Sequence, residues 1–141
     1  MIDRSLFIEN FIDGSGNTSG RKAQILIVDD SAIVLRNIKV LLDQTYAVSV
    51  APSGKHALLS IKDRKPDLIL LDYEMPDMNG KEVMERLKAD ESTKDIPVIF
   101  LTSVGSRDIV VELLALEPAG YLLKPVDSKN LHDTINKALK R

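Results

Sequence analysis

No cysteine occurs in the 141 residues, which excludes disulfides, thiolate chemistry and sulfur-ligated zinc. Neither sign of charge is in excess: 19 Lys and Arg against 21 Asp and Glu leave a formal net charge of −2. A nucleic-acid-binding domain usually shows a basic stripe, so direct nucleic-acid binding is not expected. Long apolar runs are missing as well. None approaches the roughly 18 residues of a membrane span, and Met1-Ile2-Asp3-Arg4 is charged at once, without a signal-peptide hydrophobic region. A cytoplasmic protein with no membrane insertion is therefore expected. The sequon Asn17-Thr18-Ser19, without a secretory signal, is read as a chance match.

What is present is an ordinary soluble composition, 44% hydrophobic and 28% charged, in a length that allows one domain with a substantial core. Residues 1–22 stand apart. Leu6, Phe7, Ile8, Phe11 and Ile12 include i,i+4 apolar pairs suited to a short amphipathic helix, and Gly14 to Gly20 has a linker composition. This segment is read either as a disordered tail or as one that docks elsewhere. From residue 23 to 141 the chain reads as one domain. Strand-length apolar runs near 25–29, 46–51, 67–71, 97–101 and 120–123 alternate with helical periods near 31–43, 53–64, 79–89, 107–117 and 127–140. Ser53 and Ser128 suit helix N-caps, and Pro66, Pro97 and Pro118 interrupt helix between periodic segments. Runs that are apolar almost throughout, such as Leu68 to Leu71, suit a parallel sheet covered on both faces. Five such βα units predict an α/β, doubly wound three-layer sandwich around a five-stranded parallel sheet.

Parallel strands put all their C-terminal ends on one rim, where open α/β folds bind ligands. Asp29 and Asp30 follow the first strand, Asp72 the third, Thr102 and Ser103 the fourth, and Lys124 the fifth. Singly, each has an ordinary reading: an acid at a strand end forms a turn, Asp30 caps the next helix, and Thr102 and Lys124 are structural or solvated. Their conjunction in chain order at matching rim positions is what carries information. Two unit charges about 4 Å apart cost about 4 kcal/mol at an effective dielectric of 20, so a proton or a cation must offset three clustered carboxylates. With only hard oxygen ligands in the set, Mg²⁺ fits better than zinc. Mg²⁺ favours one or two carboxylates plus phosphate oxygens, leaving Asp72 to meet a phosphoryl group. Lys124 supplies a compact positive charge and Thr102 a hydroxyl donor, while the small Ser103 leaves room for the anion. A carboxylate attacking a phosphoryl donor forms an aspartyl phosphate, chemistry that is mostly positioning and charge neutralisation.

From about Lys22 to Arg141 the sequence resembles a receiver domain of the two-component response-regulator family, of the chemotaxis-regulator type. The match rests on Ile25-Leu26-Ile27-Val28-Asp29-Asp30-Ser31, on Leu70-Leu71-Asp72-Tyr73-Glu74-Met75-Pro76-Asp77-Met78-Asn79-Gly80, on Leu101-Thr102-Ser103 and on Tyr121-Leu122-Leu123-Lys124-Pro125. The resemblance implies a flavodoxin-like (βα)5 fold and a phosphoprotein whose Asp72 accepts phosphate from a histidine kinase or histidine phosphotransfer protein, or from acetyl phosphate. It implies Mg²⁺ held directly by Asp30, Asp72 and the backbone carbonyl of Glu74, with Asp29 acting through a coordinated water. Lys124 would contact the phosphoryl oxygens, and its bond to Pro125 would be cis. Thr102 would move towards the phosphoryl group while Tyr121 turns inward, and Glu74 and Val104 would tune phosphoryl lifetime. Chemistry would be confined to the chain's own phosphorylation and dephosphorylation, so no enzyme acting on other substrates is expected.

Two alternatives compete. An aspartyl-nucleophile phosphatase generally has its acids two residues apart after the first strand, whereas Asp29 and Asp30 are adjacent. A flavin-binding flavodoxin-like module would want a Ser/Thr/Gly-rich phosphate loop where Asp29-Asp30 stands. In the helix near 107–117, Ile109, Leu113 and Leu116 form the stripe that faces a sheet. Val110 and Leu114 are then expected to be partly exposed and, beside Tyr121 and Leu123, to form a surface for a downstream effector or a homodimer. His56 and His132 are read as solvated and without a role.

Overall fold

The computed structural model describes residues 21–103 and 107–140. Strands β1 (Gln24–Val28), β2 (Ala47–Ala51), β3 (Leu68–Asp72), β4 (Val98–Thr102) and β5 (Gly120–Leu123) alternate with helices α1 (Ala32–Leu42), α2 (Gly54–Asp63), α3 (Gly80–Lys88), α4 (Arg107–Leu114) and α5 (Ser128–Ala138). All neighbouring strands pair in parallel, in the order β2-β1-β3-β4-β5. This is the expected doubly wound sheet. The order reverses at β1, so the crevice opens between the ends of β1 and β3.

Each central strand is apolar along its whole length because both of its faces are covered. Leu26, Val28, Ile69, Leu71, Val98 and Phe100 pack beneath α2, α3 and α4. Ile25, Ile27, Leu68, Leu70, Ile99 and Leu101 pack beneath α1 and α5. Strand alternation therefore divides one sheet between two apolar layers, and the polar residues come where the strands end.

Several expectations need correction. Ser53 caps α2 as expected, accepting from the His56 amide at 3.1 Å. Ser128 does not cap α5; it is the first helical residue, and Asp127 accepts from the Asn130 amide at 2.9 Å. The ordinary reading of Asp30 as a helix cap also fails, because Ser31 caps α1. Helix α4 stops at Leu114 rather than 117, since the chain tightens through turn bonds and Glu117 takes a left-handed φ of 54° ahead of Pro118. His56 is exposed and its ring meets Ser53 Oγ; His132 is half-buried, stacked on Tyr46 with centroids 6.3 Å apart. Residues 1–20 and Val104, with the readings placed on them, lie outside the described residues.

Candidate functional site

Register brings the acids together. Val28 pairs with Leu71, so Asp29, one residue past β1, stands beside Asp72, the last residue of β3. Asp29, Asp30 and Asp72 each offer a carboxylate oxygen within 4.8 Å of the others. Asp29 and Asp72 are buried and Asp30 is exposed, so the cluster opens to solvent on one side. Lys124 reaches in from the end of β5, with Nζ 2.8 Å from Asp29 Oδ2 and 3.3 Å from Asp72 Oδ1. Its backbone amide donates to the Thr102 carbonyl at 2.8 Å, which ties the ends of β4 and β5. Thr102 is fully buried, Ser103 beside it is exposed, and the Lys124–Pro125 bond is cis as expected.

Backbone amides complete the frame. Ser31 N–H donates to Asp29 Oδ1 at 2.9 Å, and Glu74 N–H donates to Asp72 Oδ1 at 3.3 Å. The loop after β3 returns to the strand it left: Gly80 N–H donates to the Tyr73 carbonyl at 2.9 Å. A Cβ at Gly80 would lie 2.7 Å from the Asp72 carbonyl oxygen and 2.8 Å from Tyr73 Cα, so this approach requires glycine. Asn79 and Glu82 close the return with a reciprocal capping box that the sequence reading did not identify, although Asn-x-x-Glu is its signature.

Burial is the largest influence on Asp72, raising its carboxyl from the ordinary 3.8 to about 7. The charge of Asp29 pushes the same way, while Lys124 and the Glu74 amide pull it back. For Lys124, burial disfavours the ammonium, but Asp29 and Asp72 outweigh it and raise the pKa. One lysine thus offsets only part of a three-acid cluster. The donor set is oxygen only, held at a rim open to water, and it fits a hard divalent cation that keeps water ligands.

The remaining predicted residues fall further out. Glu74 is exposed beside the cluster. Tyr121, Leu123 and Leu114 are exposed, while Val110 is only half-buried. The sequence reading passed over Val111, which is 61% exposed on α4. It also missed Tyr73, whose hydroxyl donates to Glu112 Oε1 at 2.5 Å. Beside Lys124 and Pro125, a cavity of about 130 Å³ is lined by Val34, Ile38 and Leu41 of α1. Among the described residues, no helix is long and apolar enough to cross a membrane.

Comparison with known proteins agrees with this geometry. Residues 25–136 match the response regulator receiver domain family. The chain is 41% identical over 118 residues to the phosphate regulon transcriptional regulatory protein PhoB of Pseudomonas aeruginosa, spanning 83% of this chain and 52% of that protein. It is 34% identical over 116 residues to the regulatory protein LuxO of Vibrio vulnificus, spanning 82% of this chain and 25% of that protein. It thus spans about half or less of these curated relatives. The solved structure of the Vibrio cholerae chemotaxis protein CheY4 superposes with a TM-score of 0.77 at 30% identity, covering 83% of this chain and 98% of CheY4. Nothing in the geometry or the comparisons favours the phosphatase or the flavin module. With its parallel sheet, its acid cluster and its rim lysine, the chain belongs to the response regulator receiver domain family of two-component signalling.

Proposed function

We propose that Asp72 is the phosphoacceptor of this receiver, and that the phosphoryl group arrives from a phosphohistidine on a histidine kinase or phosphotransfer protein. The observation that carries this reading is the buried Asp72 carboxylate facing both the Asp29–Asp30 pair and the Lys124 ammonium. Mg²⁺ is the cation this oxygen set suits, with Asp30, Asp72 and the Glu74 carbonyl as direct ligands and Asp29 acting through water. When bound, it would neutralise charge on the incoming phosphoryl oxygens. Asp72 supplies the attacking oxygen, Lys124 holds the transferred group, and Thr102 and Ser103 contact it from the end of β4. The exposed Ile33 on α1 and the apolar cavity beside Lys124 lie next to this rim and suit a protein donor.

The chemistry is self-directed, limited to gain and loss of phosphate at Asp72, in a cytoplasmic setting. Thr102 and Tyr121 couple phosphorylation to the surface formed by Val110, Leu114, Tyr121 and Leu123, where an effector or second copy docks. Glu74 and Val104 set phosphoryl lifetime.

One experiment tests the centre of this reading. Incubation with acetyl phosphate and Mg²⁺ is expected to add one phosphoryl group to the wild type and none to Asp72→Ala. The companion Glu74→Asn variant is expected to accept phosphate and lose it at a different rate. Labelling of Asp72→Ala would move the acceptor elsewhere, and an unchanged rate in Glu74→Asn would remove Glu74 from lifetime control.

A further inference from the structure

The residue after the acceptor points away from the acids. Tyr73 continues the alternation of Ile69 and Leu71 and enters the apolar layer beneath α2, α3 and α4. Its ring meets Phe100 edge-on, with centroids 5.4 Å apart and planes at 86°. Its backbone is held on both sides, donating to the Leu101 carbonyl and accepting from Gly80 N–H, each at 2.9 Å. Tyr73 is therefore a fixed post at the end of β3. Its hydroxyl is bonded to Glu112 Oε1, and Glu112 belongs to α4.

Helix α4 is held much less firmly. Only Leu113 of its eight residues is buried, with Ile109 and Val110 partly so. Its first residue, Arg107, follows Thr102 by five positions, whereas the Tyr73 hydroxyl meets the helix further along, at Glu112. A Thr102 drawn towards a phosphoryl group would pull on the chain that leads into α4, while Tyr73 holds the helix at Glu112. A hydroxyl–carboxylate bond this short tolerates little displacement, because hydrogen bonds weaken steeply beyond about 3.5 Å.

We propose that the Tyr73–Glu112 hydrogen bond is a latch that holds α4 in its unphosphorylated position and is released when Asp72 is phosphorylated. The proposal rests on the reading of Asp72 as phosphoacceptor. A contact made in only one of two states biases the equilibrium towards that state, so its removal favours the other. Glu112 lies between Val111 and Leu113, so release of the latch lets the exposed apolar residues of α4 move with it.

Titration with beryllofluoride and Mg²⁺, followed by NMR, tests the latch. Wild type is expected to bind at Asp72, and Tyr73→Phe and Glu112→Ala each to bind about three- to tenfold more tightly. The double variant is expected to gain no more than either single one, because both remove the same bond. Glu112→Gln, which keeps an acceptor but not the charge, is expected to fall between. Thermal unfolding of each variant checks that the fold is intact. A wild type that binds while both single variants bind equally well or more weakly overturns the latch alone. Additive gains in the double variant overturn it as well, since the two residues would then act separately. Failure of the wild type itself to bind overturns the phosphoacceptor reading.

Discussion

Asp72 combines two demands that conflict. As the proposed phosphoacceptor it would have to be buried enough to exclude competing water, yet carry the charge that attacks phosphorus. Burial lifts its carboxyl to about 7 against an ordinary 3.8, so the folded chain binds a proton there more tightly than the unfolded chain does. Linkage then makes the ionised carboxylate a cost to folding above about pH 7, a cost that shrinks as pH falls from 7 towards 3.8. Removing the charge while keeping the shape should show this directly. In EDTA at pH 8, Asp72→Asn is expected to melt higher than wild type by about 3 °C or more, and the difference to narrow as the pH is lowered to 5. Lys124 keeps its 2.8 Å partner Asp29 in that variant. A variant that melts at or below wild type at pH 8 would contradict the electrostatic account of the site. At this scale the sequence was legible where chemistry sits at strand ends: Asp29, Asp30, Asp72, Thr102 and Lys124 all gather at one rim. It was silent on Tyr73 and Glu112, because a pairing across 39 positions exists only once β3 and α4 have been placed side by side.

The elements were legible through their periods, and their ends were harder. Five apolar runs became five strands: β1, β3 and β4 are buried on both faces, while the edge strands β2 and β5 are largely exposed and were legible from their length and spacing. The α5 cap shifted by one residue because Asp127 and Ser128 are both good caps and only backbone direction decides between them. The loop from β3 to α3 shows what composition conceals. Gly80 reads as a turn residue, but its role is contact: its Cα lies against the Asp72 and Tyr73 backbone, with Phe100 Cε1 within 3.2 Å of any added Cβ. Backbone cannot give way as a flexible side chain can, so an added methyl must displace the loop. Gly80→Ala is expected to destabilise the fold by about 1–3 kcal/mol and to slow labelling by acetyl phosphate, since the loop also carries Glu74. Urea denaturation reads the first effect as a lowered midpoint at unchanged slope. A midpoint equal to that of wild type would mean that the close approach is relieved at no cost.

For the molecule as a whole, the question is what reads the switch. The helical stripe Ile109, Leu113 and Leu116 was legible, and it fixes the rest of α4 by rotation. Val110 lies about 60° from Leu113 around the helix and is half-buried, whereas Val111 lies about 160° away and projects into solvent. The outward apolar residues are thus Val111 and Leu114 on α4 and Tyr121 and Leu123 on β5, with exposures of 61%, 48%, 38% and 48%. Covering four side chains that are roughly half exposed is worth about 3–6 kcal/mol on each copy. Association costs about 4–15 kcal/mol in lost freedom and ordering, so a homodimer through this face is marginal. Marginal association suits a switch, because a small rearrangement of α4 then decides whether the face holds. The beryllofluoride-loaded chain is expected to sediment as a larger species than the unloaded chain at about 100 μM, a concentration suited to contacts this weak. A single charge in the middle of the face should be enough to abolish this. Leu114→Asp is expected to bind beryllofluoride as wild type does and to sediment, loaded or not, at the unloaded value. Sedimentation of the loaded variant equal to that of loaded wild type would remove this face from the association, and with it the reason for α4 to move.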